Sequence, residues 1–384
     1  MKIFLRGAET NNKGAELMLY AVLQEIERSF PTAKIYLGKK SVGQGRAYLH
    51  SNADIKLFSP PPCWRVINRL KINMLLEKLH ISRFLAPNPP ARHVDYYFDL
   101  SGLLFSDQRN LTDDRISRLS EELRKFFRKG TKIVYLPQAF GPIEKKTTKN
   151  AIITLSKYAT LVFARESKSY EYLKGSNMID MDKVTICTDF TSLVKGVFPN
   201  NYSHLKGGVC IIPNRHMIDR GGISFEEYIT MLRNYIETVS KGGRTAFFLN
   251  HEGKSEEVFI NKIISQLDCE IELVTGLNAL ETKGIISESY LVISSRFHGV
   301  ASALNACVPC LATSWNHKYS YLFKDYNMSD CVLSQMSDEL SRKKIDEFLD
   351  IESNKKIRSQ LELVNPTIKQ YAKDMWSTIW SLSK

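Results

Sequence analysis

The chain has 384 residues, 43% of them hydrophobic, enough for two ordinary domains with buried cores, and its seven scattered cysteines read as reduced thiols rather than a disulfide frame. Its 53 lysines and arginines against 41 aspartates and glutamates give a formal net charge of +12, which points to anionic company. Nucleic acid is disfavoured because no zinc-finger, RNA-recognition or helix-turn-helix pattern is visible. No apolar run reaches membrane-spanning length, and MKIFLRGAET is too short in its apolar part for a secretory signal, so a cytoplasmic location is the expectation.

Lys2–Arg6 reads as a first strand and Gly7–Asn12 as a turn. From Lys13 to Phe30, Ala15, Met18, Leu19, Val22, Leu23 and Ile26 recur at helical spacing. Asn12 is placed to cap that helix and Glu16 to favour its first turn. Short apolar strands follow at Lys34–Leu37, Ile55–Phe58, Tyr96–Leu100, Lys132–Leu136, Thr160–Ala164 and Val184–Cys187. The amphipathic segments Asp113–Arg128, Lys146–Tyr158 and Ser167–Leu173 separate several of them, and such alternation implies a parallel sheet covered by helices.

Trp64–His93 breaks the pattern. Lying between two proline clusters, it carries Arg65, Arg69, Lys71, Lys78, Arg83 and Arg92 against the single acid Glu77, interleaved with apolar residues. It reads either as a basic amphipathic segment for an anionic membrane surface or lipid diphosphate, or as an ordinary helix with its apolar side on the core. A membrane role would place the protein peripherally at the inner face of the cell membrane.

Pro199–Lys206 is polar and aperiodic, a candidate linker. The β/α alternation then restarts with Gly208–Ile212, a helix over Phe225–Ser240, Thr245–Leu249, a helix over Ser255–Leu267, Glu270–Val274, a short helix near Leu280, and Tyr290–Ser294. The expected architecture is α/β: two Rossmann-like, open parallel-sheet domains, residues 1–198 and 207–336, facing a cleft in the manner of GT-B enzymes. Helices over 337–384 are expected to pack back on the first domain through Trp376, Ile379 and Trp380.

Arg296 and His298 follow the strand Tyr290–Ser294 at once, where a helix begins and its first N–H groups are unpaired. Such a turn attracts an anion through the helix dipole; Arg296 can add a two-pronged contact to phosphate or carboxylate, and His298 is the natural proton donor. The plainer reading, a structural histidine and a solvated arginine, stands beside it. Cys307 and Cys310 form a C-x-x-C with no second pair or histidine cluster to complete a zinc site.

SSRFHGVASALNACVPCLATSWNHKY resembles the C-terminal signature of the polysaccharide pyruvyl transferase family. RGAETNNKGAELML is similar to that family's N-terminal loop, and LPQAFGPI and VFARESKSYEYL resemble its "GP" strand end and its arginine turn. The resemblance spans roughly residues 1–325 in the family's order. It implies transfer of a pyruvyl group from phosphoenolpyruvate onto two hydroxyls of a sugar or lipid-linked oligosaccharide, giving a cyclic ketal, with phosphoenolpyruvate as co-substrate and no metal or organic cofactor.

On this resemblance Arg296 would hold the donor's anionic groups and His298 would transfer a proton or contact phosphate. Arg165 and Lys318 match further basic positions, with His317 beside Lys318; an ion pair with Glu166 is the plainer reading of Arg165. Asn12, Gly14 and Glu16 match the N-terminal loop, Glu16 as a base toward an acceptor hydroxyl or simply as a first-turn acid. Arg215, after the first strand of the second domain, is a further donor contact. At Asp99–Leu103 this chain departs from the family's paired glycine, which puts sugar preference in doubt. A GT-B nucleotide-sugar glycosyltransferase and a catalytically inactive scaffold of a polysaccharide assembly complex are the competing readings.

Overall fold

The computed structural model describes residues 1–7, 10, 12–38, 54–58, 93–313, 318–328, 330–333 and 338–383. Apart from His93, the basic segment 64–93 lies outside the described residues, as does His317; Lys318 is described in its backbone alone. The chain forms two compact units: unit 1 is Met1–Thr10, Met18–Thr188 and Asp374–Lys384, and unit 2 is Asn11–Leu17 and Asp189–Lys373.

Unit 1 is built on β1 (Lys2–Arg6), β2 (Lys34–Gly38), β3 (Asp54–Phe58), β4 (Tyr96–Asp99), β5 (Lys132–Gln138), β6 (Leu161–Ala164) and β7 (Val184–Ile186). They form one parallel sheet in the order β3-β2-β1-β4-β5-β6-β7. Helix α1 (Lys13–Ser29) follows β1; α2 (Asp113–Phe127), α3 (Lys146–Tyr158) and α4 (Ser167–Ser176) alternate with the later strands. Every residue of β4 is buried, as a strand covered on both faces requires. Ile116, Leu119, Leu123 and Phe126 of α2 pack in one core with Tyr97, Ile133 and Tyr135, which is why that helix shows its apolar stripe so plainly.

Unit 2 carries β8 (Val209–Ile212), β9 (Ala246–Leu249), β10 (Glu272–Val274), β11 (Leu291–Ser294) and β12 (Cys310–Ala312), parallel throughout, in the order β10-β9-β8-β11-β12. Helices α5 (His216–Asp219), α6 (Phe225–Lys241), α7 (Lys254–Ile264), α8 (Ala279–Ser287), α9 (Phe297–Asn305), α10 (Lys318–Asp325) and α11 (Asp338–Leu349) connect and cover them. A full capping box, Ser224 with Glu227, starts α6. In this order the chain reverses direction across the sheet between β8 and β11, and ligands of open α/β sheets sit at the carboxyl ends of the strands at such a switch.

The stretch expected to be a linker is instead a short 3-10 helix, Asn200–Leu205, inside unit 2. Leu205 is buried and anchors it, while a 3-10 turn this short has no apolar period to reveal it. At the other end, α12 (Ile351–Ser381) starts in unit 2, and its residues from Asp374 belong to unit 1. There Trp376 is 2% exposed, stacked on Trp380 and edge-on to Phe98, and Trp380 Nε1 donates to Glu25 at 2.8 Å.

Candidate functional site

The carboxyl ends of β8, β9 and β11 in unit 2 carry a run of polar side chains that are buried or nearly so. At the end of β11, Ser294 Oγ accepts the Arg296 N–H and donates to the Arg296 carbonyl, both at 3.0 Å, which closes a tight turn into α9. Gly299 completes it, because a Cβ there would stand 2.5 Å from Ser294 Oγ. From β8, Asn214 Nδ2 donates to the Ser295 carbonyl at 2.9 Å, and the Tyr319 hydroxyl donates to the same oxygen at 2.9 Å. The turn is therefore held from three sides, and Arg296 is the N-cap of α9 with no side-chain cap hydrogen bond.

Arg296 is 8% exposed, and its guanidinium meets two carboxylates, Glu252 Oε2 at 2.5 Å and Glu256 Oε1 at 2.6 Å. Glu252 follows β9 and Glu256 stands in the first turn of α7, itself buried. Burial alone would lower the Arg296 pKa, but Glu256 and Glu252 outweigh it and hold the group still more firmly charged. Arg296 is thus not the solvated charge of its plainer sequence reading but the centre of a buried Glu-Arg-Glu clamp.

The N-terminal loop joins the same cluster. Asn12 Oδ1 accepts the Gly14 and Ala15 N–H groups at 2.9 and 3.2 Å, as a helix cap does, while its Nδ2 donates to Glu252 Oε1 at 3.1 Å. A Cβ on Gly14 would lie 2.0 Å from His298 Nδ1, so only glycine lets the first turn of α1 meet that ring. Glu16 is fully buried and accepts from Lys13 Nζ at 2.9 Å. A carboxylate so enclosed and so paired anchors the turn.

His298 keeps 17% of its side chain exposed, with Nε2 3.8 Å from Asp189 Oδ2. His251, after β9, is 4% exposed, and its Nδ1 has no hydrogen-bond partner among the described residues. Burial, then Arg296 and His298, push its pKa well below the ordinary histidine value, so the ring is neutral near pH 7.

Two other expected residues, Arg215 and Arg165, have partners of their own. Arg215 contributes its N–H to Glu256 Oε1 at 3.2 Å, but its guanidinium is 61% exposed and 3.4 Å from Asp219. Arg165 belongs to unit 1, after β6, with Nε 3.6 Å from Glu166 and its N–H donating to the Gln138 carbonyl at 3.0 Å. No group of three potential metal ligands occurs among the described residues. Sequence reasoning passed over His251, Glu252, Glu256 and Asp189. The available signal for the first two was position alone: polar residues directly after a buried strand of a parallel sheet.

Comparison places this architecture among GT-B proteins. Anabaena HepE in complex with UDP is similar over 99% of both chains (TM-score 0.60, 13% identity). UDP-GlcNAc 2-epimerase of Neisseria meningitidis, bound to UDP-GlcNAc, matches over 99% of this chain and 100% of that one (TM-score 0.56, 12% identity). WaaG, a glycosyltransferase involved in lipopolysaccharide biosynthesis, matches over 98% of both (TM-score 0.52, 10% identity). At such identities the likeness establishes the fold, two α/β units of GT-B type. No curated protein sequence matches the chain. The family model for polysaccharide pyruvyl transferases matches residues 12–317, from the Asn12 cap to beyond the Arg296–His298 turn, and the chain belongs to that family.

Proposed function

We propose that this protein transfers the pyruvyl group of phosphoenolpyruvate onto two hydroxyls of a sugar in a bacterial surface polysaccharide or its precursor, forming a cyclic ketal. The observation that supports this best is the meeting, within unit 2, of two motifs from opposite ends of the sequence. Asn12 and Gly14 stand against Glu252 and His298, on the turn that also holds Arg296.

The chemistry requires a proton for the donor's methylene carbon, a hydroxyl for the resulting cationic C2, loss of phosphate, and closure by the second hydroxyl. Each hydroxyl gives up its proton as its C–O bond forms; one proton equivalent ends on the new methyl group and the other leaves with the phosphate. His298, a partly exposed imidazole on the first turn of α9, suits the role of acid. Arg296 fixes that turn through Glu252 and Glu256, and any contact it makes to the donor is made from inside the clamp. The donor's phosphate and carboxylate then fall to the first N–H groups of α9 and to the basic family positions Arg165 and Lys318, with His317 beside Lys318 and Arg215 as an exposed auxiliary. Glu16 serves α1 rather than the acceptor.

Thermal stabilisation by candidate donors tests the reading. Phosphoenolpyruvate should raise the melting temperature of the full chain and nucleotide sugars should not. Stabilisation by a nucleotide sugar alone would move the protein to the glycosyltransferases that share its fold, and stabilisation by neither would favour a scaffold.

A further inference from the structure

Asp189 follows β7 and is the first residue of the longer stretch of unit 2, 7% exposed. It caps a short 3-10 helix, Phe190–Leu193, with Oδ1 accepting the Thr191 N–H at 2.9 Å. That bond fixes the rotation of the carboxylate and leaves Oδ2 turned to His298 Nε2 at 3.8 Å. The other ring edge lies on Gly14, where a Cβ would be 2.0 Å from Nδ1.

The support of Asp189 is itself rigid. The buried Lys283 of α8 donates from Nζ to the Thr191 carbonyl at 2.9 Å. Just beyond the 3-10 helix, α8 meets the chain backbone to backbone: a Cβ on Gly284 would stand 2.2 Å from the Val197 carbonyl oxygen, and one on Gly196 would stand 2.4 Å from the Gly284 nitrogen. Such contacts leave the Asp189 loop little room to shift.

We infer that Asp189 is a positioning residue for His298, holding the imidazolium in one orientation by its charge while Gly14 closes the opposite side. The inference rests on the reading of His298 as the acid. Around His298 stand Asp189 on the 3-10 helix and the neutral His251 after β9, and His251 in turn has Arg296 (paired with Glu252 and Glu256) and Lys13 of α1. Asp189 has His298, Lys283 of α8 and the phenol of Tyr326 after α10, and Lys283 in turn has Lys369 of α12. A carboxylate beside the ring favours its protonated form, so loss of the Asp189 charge should lower the pH at which the ring titrates.

The test uses the full chain labelled with ¹³C-histidine, free of substrate, with the His298 signal assigned by its loss in His298→Gln. Asp189→Asn keeps an oxygen for the Thr191 N–H but removes the charge. Its His298 should titrate about one pH unit or more below wild type, as for loss of an opposite charge at this range. Asp189→Glu should recover part of the shift. With phosphoenolpyruvate and acceptor, the Asn variant should lose about ten- to a hundred-fold in kcat, with KM for the donor within a few-fold. Asp189→Ser also caps a helix, and supplies the same comparison should the Asn variant not fold. An unchanged His298 titration in a folded, charge-free variant overturns the inference, whatever happens to kcat. A shifted titration in a protein that does not turn over phosphoenolpyruvate supports the pairing and removes only the reading of the reaction.

Discussion

At the scale of single residues, the clamp around Arg296 changes what its replacement should do. In Arg296→Ala, Glu252 and Glu256 would face each other without their shared cation, Glu256 almost wholly buried. Breaking a buried pair in this way costs roughly 3–5 kcal/mol, more than a lost anion contact alone. The melting temperature of Arg296→Ala should therefore fall by several degrees before any donor is added; unchanged stability with lost donor affinity would restore the simple anion-holder. His251 makes a second prediction. Its folded pKa lies below the unfolded value of about 6.5, so between the two the unfolded chain binds the extra proton. The stability it contributes is present above that value and is lost as pH falls below it. His251→Leu should show a shallower loss of melting temperature between about pH 7 and pH 5 than wild type; parallel curves would mean that His251 is protonated in the fold. Arg296, His298, Asn12 and Gly14 were legible in the sequence as motif residues, whereas the partners Glu252, Glu256 and Asp189 were not, because no local pattern says which carboxylate from another element turns toward an arginine or a histidine.

Among the elements, the strands and amphipathic helices were legible wherever a face is apolar, as in α2 with Leu119, Leu123 and Phe126, or in the fully buried runs of β8 and β11. The 3-10 helices at Phe190–Leu193 and Asn200–Leu205 were not, since their side chains follow no period and their caps are single residues. The two tryptophans near the C-terminus were legible as a docking spacing, and the structure shows their packing in unit 1: Trp376 against Phe98, Trp380 against Tyr96 and Phe30, and the Tyr96 hydroxyl donating to the Ile379 carbonyl at 3.1 Å. The last turns of α12 are thus part of the core of unit 1, although Asp374 lies far from it in sequence. Trp376→Ala should destabilise the protein by about 3–5 kcal/mol, the usual cost of emptying a large buried aromatic site. A denaturant midpoint within error of wild type would place these turns outside the cooperative core.

For the molecule as a whole, the two-sheet α/β architecture was legible from the β/α alternation and its interruption, and the family from four short motifs in order. The fold narrows function little, because proteins with this architecture include an epimerase and a glycosyltransferase. The family match is what supports pyruvyl transfer. The excess of 53 basic over 41 acidic residues fits a donor with a phosphate and a carboxylate, but charge of this kind governs encounter rather than the identity of the ligand. Where the donor's carbons and one solvent proton end up tests pyruvyl transfer most directly. With ¹³C-labelled phosphoenolpyruvate in deuterated water and a set of candidate surface glycans, one acceptor should gain a labelled pyruvyl ketal. Its methyl group should carry one deuterium, one phosphate should be released per ketal, and the product should be lost in His298→Gln. Glycosyl transfer from a nucleotide sugar to the same glycans, with no labelled carbon in any product, would contradict it.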